Sequence, residues 1–289
     1  MDYFHLGIPS VLSSLYAQEV AASLHATRIL IGIWCLISTM EWIKNFDLFR
    51  EDGLLSWRIL SLRHGLVFRS DWVQSLFWQR SLAWVLSMRV VAAIGLILTP
   101  VAVLECAALS AIVTTSWFLE ERSWLGGDGS DQMGQIASIG ALLMAAGLAL
   151  NNLALCFSGT FLIGGQLIIS YFFAGFSKLS SAEWRHGRAL VGAMGTHSYG
   201  HAFAAQVCSR SFVVSTGLCW LVIAGETLFP LAIFAPHNIF LVIVAAFFLF
   251  HVSHAYFMGL NTFVWSFAAA YPSVIVLNDL TTLALRLGR

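Results

Sequence analysis

Charge is scarce in this chain. Only 10% of its 289 residues are Asp, Glu, Lys or Arg and 58% are hydrophobic, whereas a soluble domain is about one quarter charged. That balance excludes an ordinary soluble globular domain and points to a chain that crosses a bilayer several times. Neither sign of charge prevails: 15 basic residues meet 15 acidic ones. The basic footprint of a nucleic-acid binder is therefore missing, and no nucleic-acid partner is expected. Lysine is rarer still, with only Lys44 and Lys178. The cysteines, at 35, 106, 156, 208 and 219, form no CxxC pair and mostly lie in apolar runs, where a free thiol behaves as a small hydrophobe. The opening MDYFHLGIPSVLSSLYAQEV has no basic n-region and no clear cleavage site, so mature chain is expected there rather than a signal peptide.

What is present is a succession of apolar windows, at about 22–43, 81–99, 101–119, 133–150, 157–178, 212–235, 238–257 and 262–285, each long enough to span a bilayer. The expected fold is all-α: a polytopic helical membrane bundle of about eight spans, read as one domain over 1–289, multi-pass in the cell membrane, with the lipid bilayer as its first partner. The block 81–119 breaks only at Thr99-Pro100, where a tight hairpin is expected. The last two windows are separated only by Gly259-Leu260-Asn261, so two helices or one long bent helix both fit.

Two connections are substantial. Residues 44–80 carry Lys44, Arg50, Arg58, Arg63, Arg69 and Arg80 among Trp57, Trp72 and Trp78, and residues 179–211 carry Arg185, Arg188 and Arg210. Basic residues interleaved with Trp and aliphatics predict interfacial helices in both. With eight spans these connections share a side with the loop 120–132, and the positive-inside rule places that side in the cytoplasm.

Arg28, Glu41, Arg89, Glu105, Glu226, His251 and His254 fall within or at the edge of apolar windows, each costly in hydrocarbon unless paired or facing a cavity. Arg89 and Glu105 sit on opposite arms of the hairpin and are the candidate ion pair there, at depths that match poorly. His197 and His201 are spaced i, i+4, and His251 and His254 are spaced i, i+3, so each pair can share a helix face. Together they would supply four imidazoles to a metal. Against that, GAMGTHSYGHAF need not be helical and no acidic ligand neighbours either pair in sequence. Hydrogen bonding within a buried cavity is the favoured reading of His251 and His254, and no metal is expected.

Lys178 ends the aromatic run YFFAGFSKLSSAEWRHGRAL. A lysine at a helix end snorkels to the interface beside a residue such as Trp184. Desolvation beside apolar surface also disfavours an ammonium, and the free amine is a base or nucleophile. Both readings stay open on the residues alone.

That stretch, with Ala174-Gly175, Lys178-Leu179, Trp184 and Gly187, resembles a signature of the horizontally transferred transmembrane (HTTM) domain family, which includes the vitamin K-dependent gamma-carboxylases and many small bacterial membrane proteins. RILIGIWCLISTMEWIKNFDLFREDGLL is similar to the family's opening helix and Asp-Gly turn, here Asp52-Gly53. GGDGSDQMGQIASI, with Asp128, is similar to its Gly-Gly-Asp entry into a central span. FLFHVSHAYFMGLNTFVWSFAAAYPSV is similar to its closing helices, with His251, Gly259, Asn261, Phe263 and Pro272 in place. The resemblance covers about 22–280. It implies that Lys178 is a base acting on a reduced, vitamin K-like quinone, with His251 and Glu226 tuning the amine or the ligand. Trp184, His254, Asn261, Arg28 and Asp128 are the expected pocket lining.

The departures argue against gamma-carboxylation itself. Ser177 stands where carboxylases carry a second lysine, and no large soluble part is expected after the closing helices. The segments Lys178-Leu179…Glu183-Trp184 and His251…Met258-Gly259-Leu260 are similar instead to the membrane component of sporulation-delaying toxin systems. That likeness implies a secreted peptide substrate and a small partner protein. Three functions are carried forward: a membrane-embedded enzyme using Lys178, a non-catalytic partner in peptide maturation or export, and a small-molecule transporter. The last is disfavoured because no inverted repeat or matched pair of broken helices is visible.

Overall fold

The computed structural model describes residues 10–63, 70–123 and 127–287. Among them every regular element is helical. Besides two 3-10 turns at Phe46–Phe49 and Ser61–Arg63, these are, in chain order, α1 (Ser10–Lys44), α2 (Trp57–Leu60), α3 (Asp71–Leu76), α4 (Gln79–Leu98), α5 (Ala102–Arg122), α6 (Gly129–Ala149) and α7 (Leu153–Ser180). Then come α8 (Ala182–Arg185), α9 (Arg188–Met194), α10 (Ala202–Arg210), α11 (Phe212–Ala232), α12 (His237–Met258), α13 (Asn261–Ala268) and α14 (Tyr271–Leu287). Eight stretches are long and apolar enough to cross a membrane: α1 from Leu15, α4, α5, α6, α7, α11, α12, and α13 with α14 taken together. The chain is a multi-pass, all-α integral membrane protein. It divides into two compact units, Met1–Gly159 and Thr160–Arg289, with the boundary inside α7.

In the first unit α1 and α5 each pack along both α4 and α6. The hairpin expected at Thr99-Pro100 forms: α4 stops at Leu98, and Thr99 is extended, as the residue before a proline prefers to be. Charges in this unit are met in three ways. Arg28 donates to the carbonyl of Leu96 and faces Glu105 at 4.0 Å. Arg89 donates to Thr39 Oγ1 (3.1 Å) and Ser116 Oγ (2.6 Å). The Arg89–Glu105 pairing is therefore wrong. On antiparallel arms, residues equally far from the turn meet, and Glu105 lies about two turns nearer the hairpin than Arg89, close to the level of Leu96. Arg122, in the last turn of α5, donates to Leu55 O (3.2 Å) and Phe49 O (3.4 Å), with its guanidinium over the rings of Phe49 and Trp57. One buried arginine thus ties down the connection that follows α1.

That connection contains α2 and α3. Phe77 is stacked between Trp57 (4.4 Å) and Phe118 (4.7 Å), while Trp72 and Trp78 stay exposed. Arg69, and Gly126 of the Gly-Gly-Asp motif, lie outside the described residues.

In the second unit α8, α9 and α10 form a chain of short helices leaning on α11, so the 179–211 connection is helical as expected. Gly259 takes φ 72° and closes α12, a left-handed cap that glycine adopts without a Cβ penalty. The bent single helix is excluded. The 262–285 window is itself two helices, broken at Ala269-Ala270. Pro272 sits in the first turn of α14, where its missing N–H removes no helical bond. Asn278, fully buried, donates to Ile233 O (2.8 Å) and Ala235 O (2.9 Å) and so fastens α14 to the α11–α12 turn.

Candidate functional site

Lys178 lies in the last turn of α7, where a cation complements the helix dipole. Its Nζ donates to Glu226 Oε2 at 2.7 Å and to Ala174 O at 3.4 Å, and it sits 5.2 Å from the centre of the Trp184 ring. The side chain of Lys178 is 21% exposed and that of Glu226 only 7%, so the carboxylate is the inner member of the pair.

Glu226 comes from the middle of α11, 48 positions along the chain. The two helices meet closely because residue 175 is glycine: a Cβ there would collide with the backbone N of Thr227 and with its hydroxyl. Six residues after Lys178, Trp184 on α8 is held by neighbours. Arg185 donates to Leu179 O (2.7 Å) and Trp220 Nε1 donates to Arg185 O (3.2 Å). Gly187, at φ 72°, closes the turn, with Ser215 Oγ donating to its carbonyl. Ala174-Gly175, Trp184 and Gly187 are therefore used to hold the lysine's surroundings.

Two turns before Lys178 on the same face of α7 lies Tyr171, almost wholly buried. Its hydroxyl is 2.8 Å from His251 Nε2 and 3.0 Å from the hydroxyl of Tyr271. Phe229, Phe247 and Phe267 enclose the Tyr171 ring. His251 Nδ1 is buried with no hydrogen-bond partner. Whichever tautomer is drawn, one polar ring atom in a membrane span stays unsatisfied, an arrangement that costs free energy and calls for a reason. His254 points its Nδ1 at Phe250 O (2.8 Å), and its ring lies 5.9 Å from that of His251. The polar groups of α7, α11 and α12 thus form one neighbourhood within the unit.

Lys178 touches both Glu226 and Trp184, and His251 and His254 lie on α12 in the same unit. Asn261 starts α13 and is exposed. Arg28 and Asp128 belong to the first unit, each with local partners. Arg28 is also 3.1 Å from His25 Nδ1. Asp128 caps α6, accepting from the Ser130 and Asp131 amides in a capping box, and lines a cavity there. His201 does not meet the α12 histidines. It accepts from the Ala204 amide at the start of α10, and its ring packs on Tyr256 and Phe257. Among the described residues no three His, Cys, Asp or Glu gather as a metal site.

Tyr171 and Tyr271 were missed by reasoning from the sequence. Tyr171 had a signal, its i−7 spacing from Lys178; Tyr271 had none, since only the break at Ala269-Ala270 brings it into place. The large apolar side chains facing outward here, Phe172, Phe173 and Phe176 among them, are what a lipid-facing helix surface carries.

No family model matches the chain, and neither a curated protein nor a solved structure matches it.

Proposed function

We propose that this is an HTTM-type membrane enzyme whose second unit carries an acid–base centre, with Lys178 as the base toward a lipid-soluble, hydroxyl-bearing compound such as a reduced quinone. The observation that carries the reading is the 2.7 Å contact between Lys178 Nζ and Glu226 Oε2, with the lysine the more exposed member. The residues fit such a ligand: a partly exposed amine, a Trp184 face beside it, and the unpaired Nδ1 of His251 in the same unit.

A reduced quinone, when bound, supplies an acidic aryl hydroxyl. Lys178 accepts a proton at Nζ only as the neutral amine, and Glu226 in contact with it is placed to hold the proton the amine has given up. The pair can pass from a charged to a neutral form without moving a heavy atom. Trp184 orients the amine and shields it from one side. Tyr171, His251 and Tyr271 hold the helices behind it in register.

A second reading has its own observation: Glu226, Ala174 O and the Trp184 ring already occupy the lysine. In that reading the pair only locks α7 to α11, and the chain serves as a non-catalytic partner in maturing or exporting a secreted peptide.

Lys178→Arg separates the two, because arginine keeps the ion pair and the anchor but does not give up its proton. Purified wild-type protein is titrated anaerobically with reduced naphthoquinone, and tryptophan quenching and the melting temperature are followed. The enzyme reading expects saturable binding, weakened in Lys178→Arg at an unchanged melting temperature of the free protein. Equal binding by both proteins, or none by the wild type, removes the reading.

A further inference from the structure

The first unit contains a feature that the lysine centre does not use. A cavity of about 550 Å³ lies among the ends of α1, α5 and α6. The carboxylates of Glu41, Glu120, Asp128 and Asp131 line it, together with the guanidinium of Arg89 and the rings of Trp34 and Trp42. Arg89 is 1% exposed. Its Nε and Nη1 are committed to the hydroxyls of Thr39, Thr115 and Ser116, while Nη2 bonds to no described residue, and no carboxylate of the described residues lies within ion-pair distance. Trp34, also 1% exposed, has a buried indole N–H without a partner, and its ring faces the Arg89 guanidinium at 5.7 Å.

Arg89 Nη2, an unpaired donor on a full positive charge, therefore stands in a cavity whose other charges are all negative. A simple anion would meet repulsion from four carboxylates. A simple cation would leave Arg89 Nη2 without a partner in the membrane span, which is expensive. The four carboxylates do not gather as a metal-binding group. A ligand bearing both charges answers both halves.

We propose that this cavity binds an ammonium–anion zwitterion, with the anion on Arg89 Nη2. Glu41, Glu120, Asp128 and Asp131 receive the ammonium, with the Trp42 ring as an apolar or cation–π wall. Ethanolamine phosphate has this chemistry, either as a phospholipid headgroup or as a free solute.

The test uses full-length protein in nanodiscs and three probes: phosphoethanolamine, ethanolamine alone and glycerol phosphate alone. Phosphoethanolamine is expected to bind at least about tenfold more tightly than either fragment, the value of one charge-assisted contact. Glu41→Gln and Glu120→Gln, both at exposed positions, are expected to weaken it by about the same factor. Arg89→Lys is expected to weaken it further because the fork is lost. If Arg89→Lys does not fold, the two glutamine variants decide. Native mass spectrometry in phosphatidylethanolamine against phosphatidylglycerol nanodiscs distinguishes the sources. Retained phosphatidylethanolamine, released by Glu41→Gln, assigns the headgroup, and binding of the free probe without retained lipid assigns the solute. Equal binding of phosphoethanolamine and either fragment, or binding indifferent to the glutamine variants, overturns the proposal. None of these outcomes bears on Lys178.

Discussion

The two units handle buried cations differently. In the first, three arginines are met mainly by neutral acceptors and ring faces: hydroxyls for Arg89, carbonyls and two aromatic rings for Arg122, a carbonyl and a carboxylate 4.0 Å away for Arg28. In the second, a single lysine touches a single carboxylate at 2.7 Å. Arginine's planar fork spreads a permanent charge over several weak acceptors, which suits tying helices and loops together. Lysine is a compact charge that can lose its proton, and beside a carboxylate it has somewhere to send it. On the two proposals above, the first unit's cations serve architecture or hold an anion, and the second unit's lysine moves a proton.

The comparison is broken most severely by leaving one charge alone. Lys178→Met strands the Glu226 carboxylate in the helix packing. An uncompensated buried charge costs about 3–5 kcal/mol, and the lower end is expected because the lysine is 21% exposed. Chemical unfolding in detergent reads it, and Lys178→Met with Glu226→Leu should recover most of the loss. Arg122→Leu removes two donors from the carbonyls of Leu55 and Phe49. About 2–3 kcal/mol of destabilisation is expected, with faster hydrogen exchange confined to residues 46–60. Tyr171→Phe takes away the hydroxyl shared by His251 and Tyr271 and should cost about 1–2 kcal/mol while leaving the Lys178–Glu226 contact in place. Smallest of all, Arg188→Ala opens an exposed ion pair with Glu183 and should shift stability by less than about 1 kcal/mol.

Helix positions were largely readable from hydropathy because membrane spans are specified by length and apolarity alone. The windows at 81–99 and 101–119 fall within about three residues of α4 and α5. Errors cluster where a helix continues through polar residues: α1 starts at Ser10 and α6 at Gly129, both in stretches no hydropathy window admits. The 262–285 window concealed a break because Ala269-Ala270 carries no turn signal. Partners were harder to read than positions. Hydropathy reports depth, and depth alone could have rejected Arg89–Glu105, yet nothing in residue spacing joins Lys178 to Glu226. Those two were named together only through the family resemblance, which supplies a shared role rather than a contact. Gly175 is the physical reason they meet, and a glycine in a helix does not announce which neighbour it admits.

Since Lys44 and Lys178 are the chain's sole lysines, each serves as the other's control. Purified protein is labelled with a lipid-soluble acylating ester, with and without reduced naphthoquinone, and the two sites are quantified by mass spectrometry. A Lys178 that acts as base toward such a ligand is shielded when the quinol is present, while Lys44 labels as before. Unchanged labelling of Lys178 at saturating quinol would contradict the acid–base account and leave the Lys178–Glu226 contact as a helix lock.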